Sequence, residues 1–189
     1  MKNRDWIALA AGAVLLLAAS FCAGRLTAPR QPMEARPKSI LHAHFSPKGG
    51  CEAEAVRVIG EAKKHIYVQA YAFTSQPIAQ ALVDAHKRGV KVEVCADEAF
   101  SHHSRSLTGF LADHGVGVWL DGQHPIAHSK TIVVDGHTVI TGSFNFTESA
   151  EARNLENMWT IEDRDAAAKL EQNFSEHQGH SVRQLVVKQ

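Results

Sequence analysis

The sequence has no excess of positive charge: 20 Lys and Arg residues are balanced by 20 Asp and Glu residues, for a formal net charge of zero. Residues 1–30 contain four of the basic residues and one of the acidic ones, which leaves 16 basic and 19 acidic residues, a net charge of −3, in the remainder. Domains that bind nucleic acid are often basic. The composition therefore excludes a strongly cationic protein, and any contact with nucleic acid would need a local basic groove.

Uncharged runs that approach the length of a membrane span are confined to the N-terminus, from Trp6 to Ala23. This run is long for the apolar part of a signal peptide and short for a membrane span. We expect residues 1–24 to be a signal peptide or an N-terminal membrane anchor held by residues 6–23, and residues 25–38 to be a proline-containing linker. The domain that follows is expected to be periplasmic or secreted, or membrane-anchored if the segment is not cleaved.

Cysteine is scarce, with three residues, and Cys22 lies in the N-terminal segment. The other two, Cys51 and Cys95, show none of the spacings of zinc-binding cysteines. In an oxidising compartment this pair could form a disulfide. The bond would close a loop of about 45 residues and contribute roughly 4 kcal/mol to stability. The alternative is a pair of buried free thiols, and the sequence favours neither.

Histidine, in contrast, is frequent, with 12 residues. His42 and His44 would share one face of a strand, and His102 and His103 are adjacent ahead of a helix. No third or fourth ligand stands at a recognisable zinc spacing from either pair. We therefore predict no bound metal and no cofactor. The loop with His102 and His103 could instead border an active cleft and contact the substrate.

The residues from His128 to Asn145 carry the clearest functional pattern. His128 and Lys130 are followed by Asp135 and then by Gly142-Ser143-x-Asn145. A nucleophile or base, a fixed cation and neutral hydrogen-bond donors at short range suit chemistry on an anionic centre such as phosphate. An isolated His-x-Lys pair is more often a solvated strand face, so the specificity of the signal lies in the combination.

The same stretch predicts a β-hairpin. Residues 130–134 and 137–141 are rich in Thr, Ile and Val. They flank Asp135-Gly136, a strong signal for a two-residue turn because both positions can adopt positive φ. Asp135 and Gly136 therefore have a structural role in this interpretation, and we expect the same of Gly142.

The register of a two-residue turn decides which side chains share a face. It places His128 opposite Ser143, and a shift of two residues would place it opposite Asn145. Both registers have the same outcome, because successive side chains of a strand alternate between faces. Four polar groups are therefore predicted to converge on one patch: His128, Lys130, Ser143 and Asn145.

This pattern resembles the HxKxxxxDxxxxxxGSxN signature of the phospholipase D superfamily, and every defining position is filled, by His128, Lys130, Asp135, Gly142, Ser143 and Asn145. The chain from residue 40 to residue 177 is similar to the small single-motif bacterial endonucleases of that superfamily, the Nuc type. The supporting segments are Phe45-Ser46-Pro47, residues 71–75, Pro77-Ile78-Ala79, Arg88-Gly89-Val90 and residues 154–157.

The resemblance implies hydrolysis of phosphodiesters through a covalent phosphohistidine, without a metal. The chemistry needs a neutral histidine as the nucleophile and a protonated one as the acid, and imidazole, with an ordinary pKa of about 6.5, suits both roles. One motif per chain then implies a symmetric homodimer in which two copies of His128 meet across the two-fold axis. Lys130 and Asn145 would hold the non-bridging phosphate oxygens, assisted by Ser143.

Glu156 falls where the enzymes of this family carry a carboxylate that hydrogen-bonds the nucleophilic imidazole. Such a bond would fix the tautomer and stabilise imidazolium. The other interpretation of Glu156 is a surface glutamate at a helix end.

The expected activity is endonucleolytic hydrolysis of DNA, with RNA as a further substrate to be considered. Little sequence specificity is expected because the chain has no base-reading motif. One alternative is a phospholipase D-type lipid phosphodiesterase held at a membrane. The other is a non-catalytic scaffold that binds phosphate.

Strand and helix signals alternate along the chain. The β-α-β-α-β order at residues 40–94 implies parallel pairing with helices on both faces of the sheet, and the hairpin adds antiparallel strands. We therefore predict an α/β domain with a mixed, mostly parallel sheet, the phospholipase D-like fold, over residues 39–180. Residues 181–189 are predicted to be a tail.

Overall fold

The computed structural model describes residues 39–185. The predicted signal peptide or anchor, the linker and the last four residues lie outside this range. Within it, no helix is long and apolar enough to cross a membrane.

The described residues form one sheet of eight strands and six helices. The strands are Ile40–Ser46 (β1), His65–Ala70 (β2), Lys91–Asp97 (β3), Gly117–Asp121 (β4), Lys130–Val134 (β5), Thr138–Gly142 (β6), Glu156–Glu162 (β7) and Val182–Arg183 (β8). The helices are Cys51–Glu61 (α1), Gln76–Lys87 (α2), Glu98–Ser101 (α3), Thr108–Asp113 (α4), Glu148–Ala152 (α5) and Arg164–His180 (α6).

The strand order is β1-β7-β6-β5-β2-β3-β4-β8. The prediction of a mixed α/β sheet is confirmed. Parallel pairing is, however, confined to β2–β3 and β3–β4, and the other five pairings are antiparallel. The sheet is therefore mixed but not mostly parallel, since β1 and every strand after β4 pair only antiparallel to their neighbours.

Helices cover both faces of the sheet, as predicted. On one face, α1, α2 and α4 bury an apolar core that includes Ile59, Leu82 and Leu111 against the strands. On the other face, α6 packs Ala167 against Val133 and Val139. The sheet is thus the central layer of three, and the ends of its strands are the places left open for a functional site.

Local signals in the sequence set several helix boundaries. Ser75 caps α2 by accepting a hydrogen bond from the Ile78 backbone N–H at 3.2 Å, and Pro77 lies in the first turn of the helix. Asp163 caps α6 in the same way, accepting from the Ala166 N–H at 2.9 Å. The chain after α6 differs from the prediction. The predicted tail begins with β8, which pairs with β4, so the domain extends beyond residue 180.

The two cysteines do not form the disulfide that the sequence allowed. Both are free and buried. Cys51, at the start of α1, belongs to the core beneath α1 and α2. Cys95 alternates with Val94 and Ala96 on β3, and its Sγ lies 3.5 Å from Ser181 Oγ at the end of α6. The thiols therefore lie on opposite faces of the sheet, and the sheet itself prevents their pairing.

The β5–β6 hairpin exists, but its turn has three residues. Val134 pairs with Thr138, and Thr131 pairs with Thr141. Asp135 and Gly136 adopt positive φ values of 55° and 66°, as the sequence predicted. The register is nevertheless one residue away from that of a two-residue turn, so strand alternation alone no longer places Ser143 and Asn145 on the face of Lys130.

Asp135 is the structural residue that the sequence suggested. Its carboxylate accepts hydrogen bonds from the backbone N–H groups of Lys63 and Lys64 at 2.8 Å each and of His65 at 3.0 Å. Burial works to raise the pKa of Asp135, but these three backbone hydrogen bonds outweigh burial and lower it. The turn of the hairpin is thereby tied to the segment that joins α1 to β2.

Asp135→Asn should lower the free energy of unfolding by about 1–3 kcal/mol at pH 7, because the amide has one acceptor oxygen and no charge. Asn tolerates positive φ, so backbone strain does not contribute to the loss. The folded pKa lies below the unfolded one, so the stabilisation is present above about pH 4 and is lost as the pH falls through the folded pKa. Urea unfolding at several pH values measures the difference.

The matched control is Asp113→Asn, at an exposed carboxylate at the end of α4. It should change stability by less than about 0.5 kcal/mol. Equal stability of wild type and Asp135→Asn at pH 7 would show that the three hydrogen bonds contribute nothing.

Candidate active site

His128 lies where the chain enters β5, beside the end of β2. Ala70 pairs with Lys130 across the β2–β5 ladder, and the Tyr71 N–H donates to the Ser129 carbonyl at 3.0 Å. The Tyr71 ring therefore lies against the His128 imidazole, with centroids 4.7 Å apart and planes at 54°. His128 itself is exposed, so its ring is held on one side and open to solvent on the other.

Lys130 is a nearly buried cation, with 7% of its surface exposed. Its Nζ donates to the His128 carbonyl oxygen at 2.7 Å and lies 5.2 Å from the centroid of the Tyr71 ring. Burial lowers the pKa of Lys130, and the charge of Glu156 opposes that effect. A desolvated ammonium with one hydrogen-bond acceptor retains N–H donors for an anionic ligand.

Glu156 begins β7 and accepts two side-chain hydrogen bonds. Ser143 Oγ donates to its Oε2 at 2.6 Å, and Asn154 Nδ2 donates to its Oε1 at 3.0 Å. Ser143 Oγ also accepts from the Asn157 N–H at 3.1 Å, which fixes the hydroxyl between the two strands. The carboxylate is therefore immobilised close to Lys130, whose pKa it affects.

The sequence analysis expected Glu156 to hydrogen-bond the His128 imidazole. Among residues 39–185 no hydrogen bond joins the two side chains, and both oxygens of Glu156 have other donors. The single chain does not form this bond, and a role for Glu156 beside the imidazole stays a prediction. Glu156 acts there on Ser143 and, through its charge, on Lys130.

The convergence of these groups depends on a β-bulge after Gly142. Lys130, Gly142 and Glu156 lie at the ends of β5, β6 and β7 nearest to His128. Beyond Gly142 the backbone N–H groups of Ser143 and Phe144 both donate to the Asn157 carbonyl, at 3.0 and 3.2 Å. Two residues then oppose one, which ends the strand alternation. Ser143 reaches Glu156 from this distorted segment, which compensates for the shifted register of the hairpin.

Asn145 follows between two anchors, since the side chains of Phe144 and Phe146 are both 1% exposed and belong to the main core. Its Oδ1 is buried and has no hydrogen-bond partner among the described residues. The structure therefore does not join Asn145 to His128 or Lys130 by a hydrogen bond. A buried polar atom without a partner costs free energy, so the position of this oxygen needs a functional or structural explanation.

Sequence reasoning missed two contributors to this site. Tyr71 contacts both His128 and Lys130, and Asn154 holds Glu156. Both lie in segments that supported the family resemblance, although neither was assigned a role. The Tyr71 ring contacts the Phe100 ring, with centroids 5.4 Å apart, and the His103 ring stacks on Phe100, with centroids 5.5 Å apart. The predicted proximity of the His102-His103 loop to the cleft is consistent with this row, whereas a substrate contact there stays a prediction.

The histidine pairs considered for metal binding do not gather a ligand set. In the described part of the chain, one group of side chains could hold an ion: Asp121, His124, His177 and His180. It includes none of His42, His44, His102 and His103. The sequence carried two signals for this group: His177-x-x-His180 at the end of the last helix, and Asp121-x-x-His124. The two motifs are 56 residues apart, counted from Asp121 to His177.

Comparisons with known proteins agree with this geometry. A family described as "Cardiolipin synthase, PLD-like domain" matches residues 55–178. A protein named "Phospholipase D" from Rickettsia prowazekii is 42% identical over 137 residues, which cover 72% of this chain and 67% of the relative. The chain belongs to the phospholipase D superfamily. It is therefore a phosphodiesterase of that superfamily, and His128, Lys130 and Asn145 occupy its motif positions.

Two further relatives differ in the names they carry. The crystal structure of Nuc from Salmonella typhimurium, a phospholipase D family member, superposes with a TM-score of 0.75 at 33% identity and covers 78% of this chain and 99% of its own. The "Mitochondrial cardiolipin hydrolase" of Xenopus tropicalis is 34% identical over 113 residues, 60% of this chain and 54% of that protein. The first of these supports the predicted resemblance to the Nuc type and confirms the phospholipase D-like fold.

Gly142→Ala should damage the site, because a Cβ there would lie 2.3 Å from the Asn157 carbonyl oxygen and the backbone φ is 155°. The hydrogen bonds of the bulge to the Asn157 carbonyl would have to break, which would displace Ser143 and Asn145. We expect a loss of about 1–3 kcal/mol in unfolding free energy and roughly a 10²-fold loss of phosphodiesterase activity. Thermal unfolding and hydrolysis of bis(p-nitrophenyl) phosphate measure the two effects.

Gly60→Ala, near the end of α1, is the matched control, because nothing lies within 4 Å of its added Cβ. It should be neutral or stabilising by up to about 1 kcal/mol. Unchanged activity in Gly142→Ala would remove the bulge from the account of the site.

Proposed function

We propose that the protein is an endonuclease that hydrolyses DNA, with little sequence specificity and without a metal at the phosphate, in a homodimeric active site. The observation that carries the proposal is the exposed His128 imidazole beside a desolvated Lys130 ammonium. The first supplies a nucleophile. The second supplies a fixed positive charge for the non-bridging oxygens of a phosphodiester.

In the proposed reaction one His128 attacks phosphorus and the bond to the leaving oxygen breaks. The other His128 gives that oxygen a proton and then takes one from the water that cleaves the phosphohistidine. Lys130 compensates the charge that develops on the phosphoryl oxygens, and the ammonium does so in a poorly solvated position where its effect is strong. From the neighbouring strand ends, Ser143 holds the Glu156 carboxylate by a hydrogen bond and so keeps its charge close to Lys130.

A second chain is needed because each chain has one such histidine. The single chain also leaves one side of the His128 ring exposed at this edge. That side would gain a partner if the same edge of a second copy faced it across a two-fold axis. This exposure supports a shared site and a symmetric homodimer.

Support for nucleic acid as the substrate comes from the rings beside His128. Tyr71, Phe100 and His103 form a row that borders a depression of about 240 Å³. Flat side chains of this kind stack on nucleobases irrespective of sequence. The resemblance to Nuc, which covers 99% of that protein, points in the same direction.

A lipid phosphodiester is the second candidate substrate. The relatives named "Phospholipase D" and "Mitochondrial cardiolipin hydrolase" favour it. The chemistry at His128 would be the same, and the difference would lie in what binds beside the phosphate. The matched region makes up 99% of Nuc but 67% and 54% of these two relatives, so both are longer than the part that this chain resembles.

The decisive experiment compares substrates. The purified chain should cleave plasmid DNA in EDTA, and neither cardiolipin vesicles nor phosphatidylcholine vesicles should be hydrolysed at a comparable rate. His128→Ala and Lys130→Ala should each lower DNA cleavage by roughly 10³-fold or more, because each removes a group that acts in the transition state. Agarose gels and released-headgroup assays provide the two measurements.

His114→Ala and Lys169→Ala, at exposed positions on α4's end and on α6, are the controls for losing a histidine or a lysine. Both should retain activity. Vesicle hydrolysis without DNA cleavage would transfer the assignment to the lipid phosphodiesterase. Binding of either substrate without turnover by the wild type would support the phosphate-binding scaffold.

The shared site can be tested by mixing subunits. Wild-type and His128→Ala chains are combined in equal amounts under conditions that exchange subunits. If each dimer has one site that needs two copies of His128, hybrids are inactive and activity falls to about one quarter of that of the same total amount of wild type. Independent sites would leave about one half. An active monomer in analytical ultracentrifugation would also contradict the shared site.

A further inference from the structure

One cluster of metal-ligating side chains plays no part in the proposed reaction. Asp121 ends β4, His124 lies in the loop that follows, and His177 and His180 lie on the last turn of α6. Each residue offers one ligand atom, and these four atoms all lie within 4.8 Å of one another. Three imidazoles and one carboxylate therefore converge from two separate segments of the chain, residues 121–124 and 177–180.

The centre of the cluster is a single oxygen atom, Asp121 Oδ2. His177 Nδ1 lies 2.8 Å from it, and His180 Nε2 and His124 Nδ1 each lie 3.2 Å from it. The three rings are separated by centroid distances of 5.0 to 5.4 Å. Ligands about 2.0–2.1 Å from a tetrahedral zinc ion lie roughly 3.3 Å from one another. The distances to Asp121 are already close to that value.

The carboxylate is held in place before any ion arrives. Asp121 is 1% exposed. Its Oδ1 accepts the Gln123 N–H at 3.1 Å and lies 3.2 Å from His124 Nδ1, while Oδ2 contacts all three imidazoles. Such a hydrogen bond on the second oxygen is how proteins orient carboxylate ligands.

The imidazoles provide the access that a buried carboxylate lacks. Side-chain exposure is 43% for His124, 26% for His177 and 27% for His180. Spacing of three residues places His177 and His180 on one face of α6. An ion can therefore reach the cluster from solvent and meet two ligands that the helix already presents together.

We propose that Asp121, His124, His177 and His180 form a closed, four-coordinate site for a divalent transition-metal ion, with zinc as the best fit. Imidazole nitrogen and carboxylate oxygen are both zinc ligands, and four protein ligands leave no open position for a substrate. The site is therefore structural. It holds the end of α6 to the β4–β5 loop, and the proposal is independent of the substrate assigned above.

The location gives the ion a specific role. The β4–β5 loop comprises residues 122–129 and includes His128, and the Ala127 N–H donates to Asp97 Oδ2 at 2.9 Å. His124 and His128 also line the same cavity of about 150 Å³. An ion that fixes His124 would therefore leave only the short segment 125–126 unanchored ahead of the catalytic histidine.

The test uses the full-length chain, expressed with added zinc and purified without chelator. Mass spectrometry of metals should find about one zinc per chain. Removal by a strong chelator should lower the unfolding temperature by about 5 °C or more, and Zn²⁺, but not Mg²⁺, should restore it. Co²⁺ added to the metal-free protein should give the intense visible absorption of tetrahedral coordination.

His180→Ala should lose both the bound zinc and the zinc-dependent shift in unfolding temperature. Asp121→Asn is a second variant, and His180→Ala is decisive if the buried Asn prevents folding. His42→Ala, at an exposed histidine on β1, is the control and should keep both. The proposal is overturned if the wild type neither retains zinc nor shows the shift. It is equally overturned if His180→Ala shows the full shift, since the cluster would then be a set of hydrogen bonds to Asp121 only.

Discussion

The pairing of β2 with β5 is the interaction on which the functional half of the molecule depends. On one side of this ladder, β2 pairs parallel to β3, and on the other side the antiparallel strands β5, β6 and β7 follow. The ladder ends at Ala70 and Lys130, and the next hydrogen bond joins Tyr71 to Ser129. A βαβ unit and a hairpin are thereby joined at the point where the Tyr71 ring contacts the His128 imidazole and the Lys130 ammonium. A slip in this register would separate those three groups even if every helix formed correctly.

The sequence predicted local features well because their causes are local. Positive φ at Asp135 and Gly136, the cap at Ser75 and the apolar faces of the helices depend on neighbouring residues, and all are present. The motif also suggested His128, Lys130, Ser143 and Asn145 as site residues, and an argument from strand alternation placed them on one face. It assumed a two-residue turn and a regular strand. The real turn has three residues, and a bulge after Gly142 compensates for the shift. Two local irregularities that offset each other leave no trace in a pattern of alternating residues.

What the sequence could not supply depends on contacts between distant segments. The number of antiparallel pairs, the addition of β8 and the partners of Glu156 all require knowledge of which strand ends meet. The cluster around Asp121 is the clearest case. Its members are separated by 56 residues, and neither of its halves has four ligands of its own. Twelve histidines scattered along a chain obscure the three that the fold gathers.

The two unpaired cysteines have a consequence for how the molecule tolerates its surroundings. Burial raises the pKa of Cys51 to about 11, with the charge of Glu151 acting in the same direction, and burial also raises the pKa of Cys95. At neutral pH almost none of either residue is thiolate, which is the species that reacts with peroxides, glutathione disulfide and alkylating reagents. Because the sheet separates the two sulfur atoms, oxidation also cannot join Cys51 and Cys95 in an intramolecular disulfide. As far as the two cysteines are concerned, the free energy of unfolding of the domain should therefore be the same under reducing and oxidising conditions.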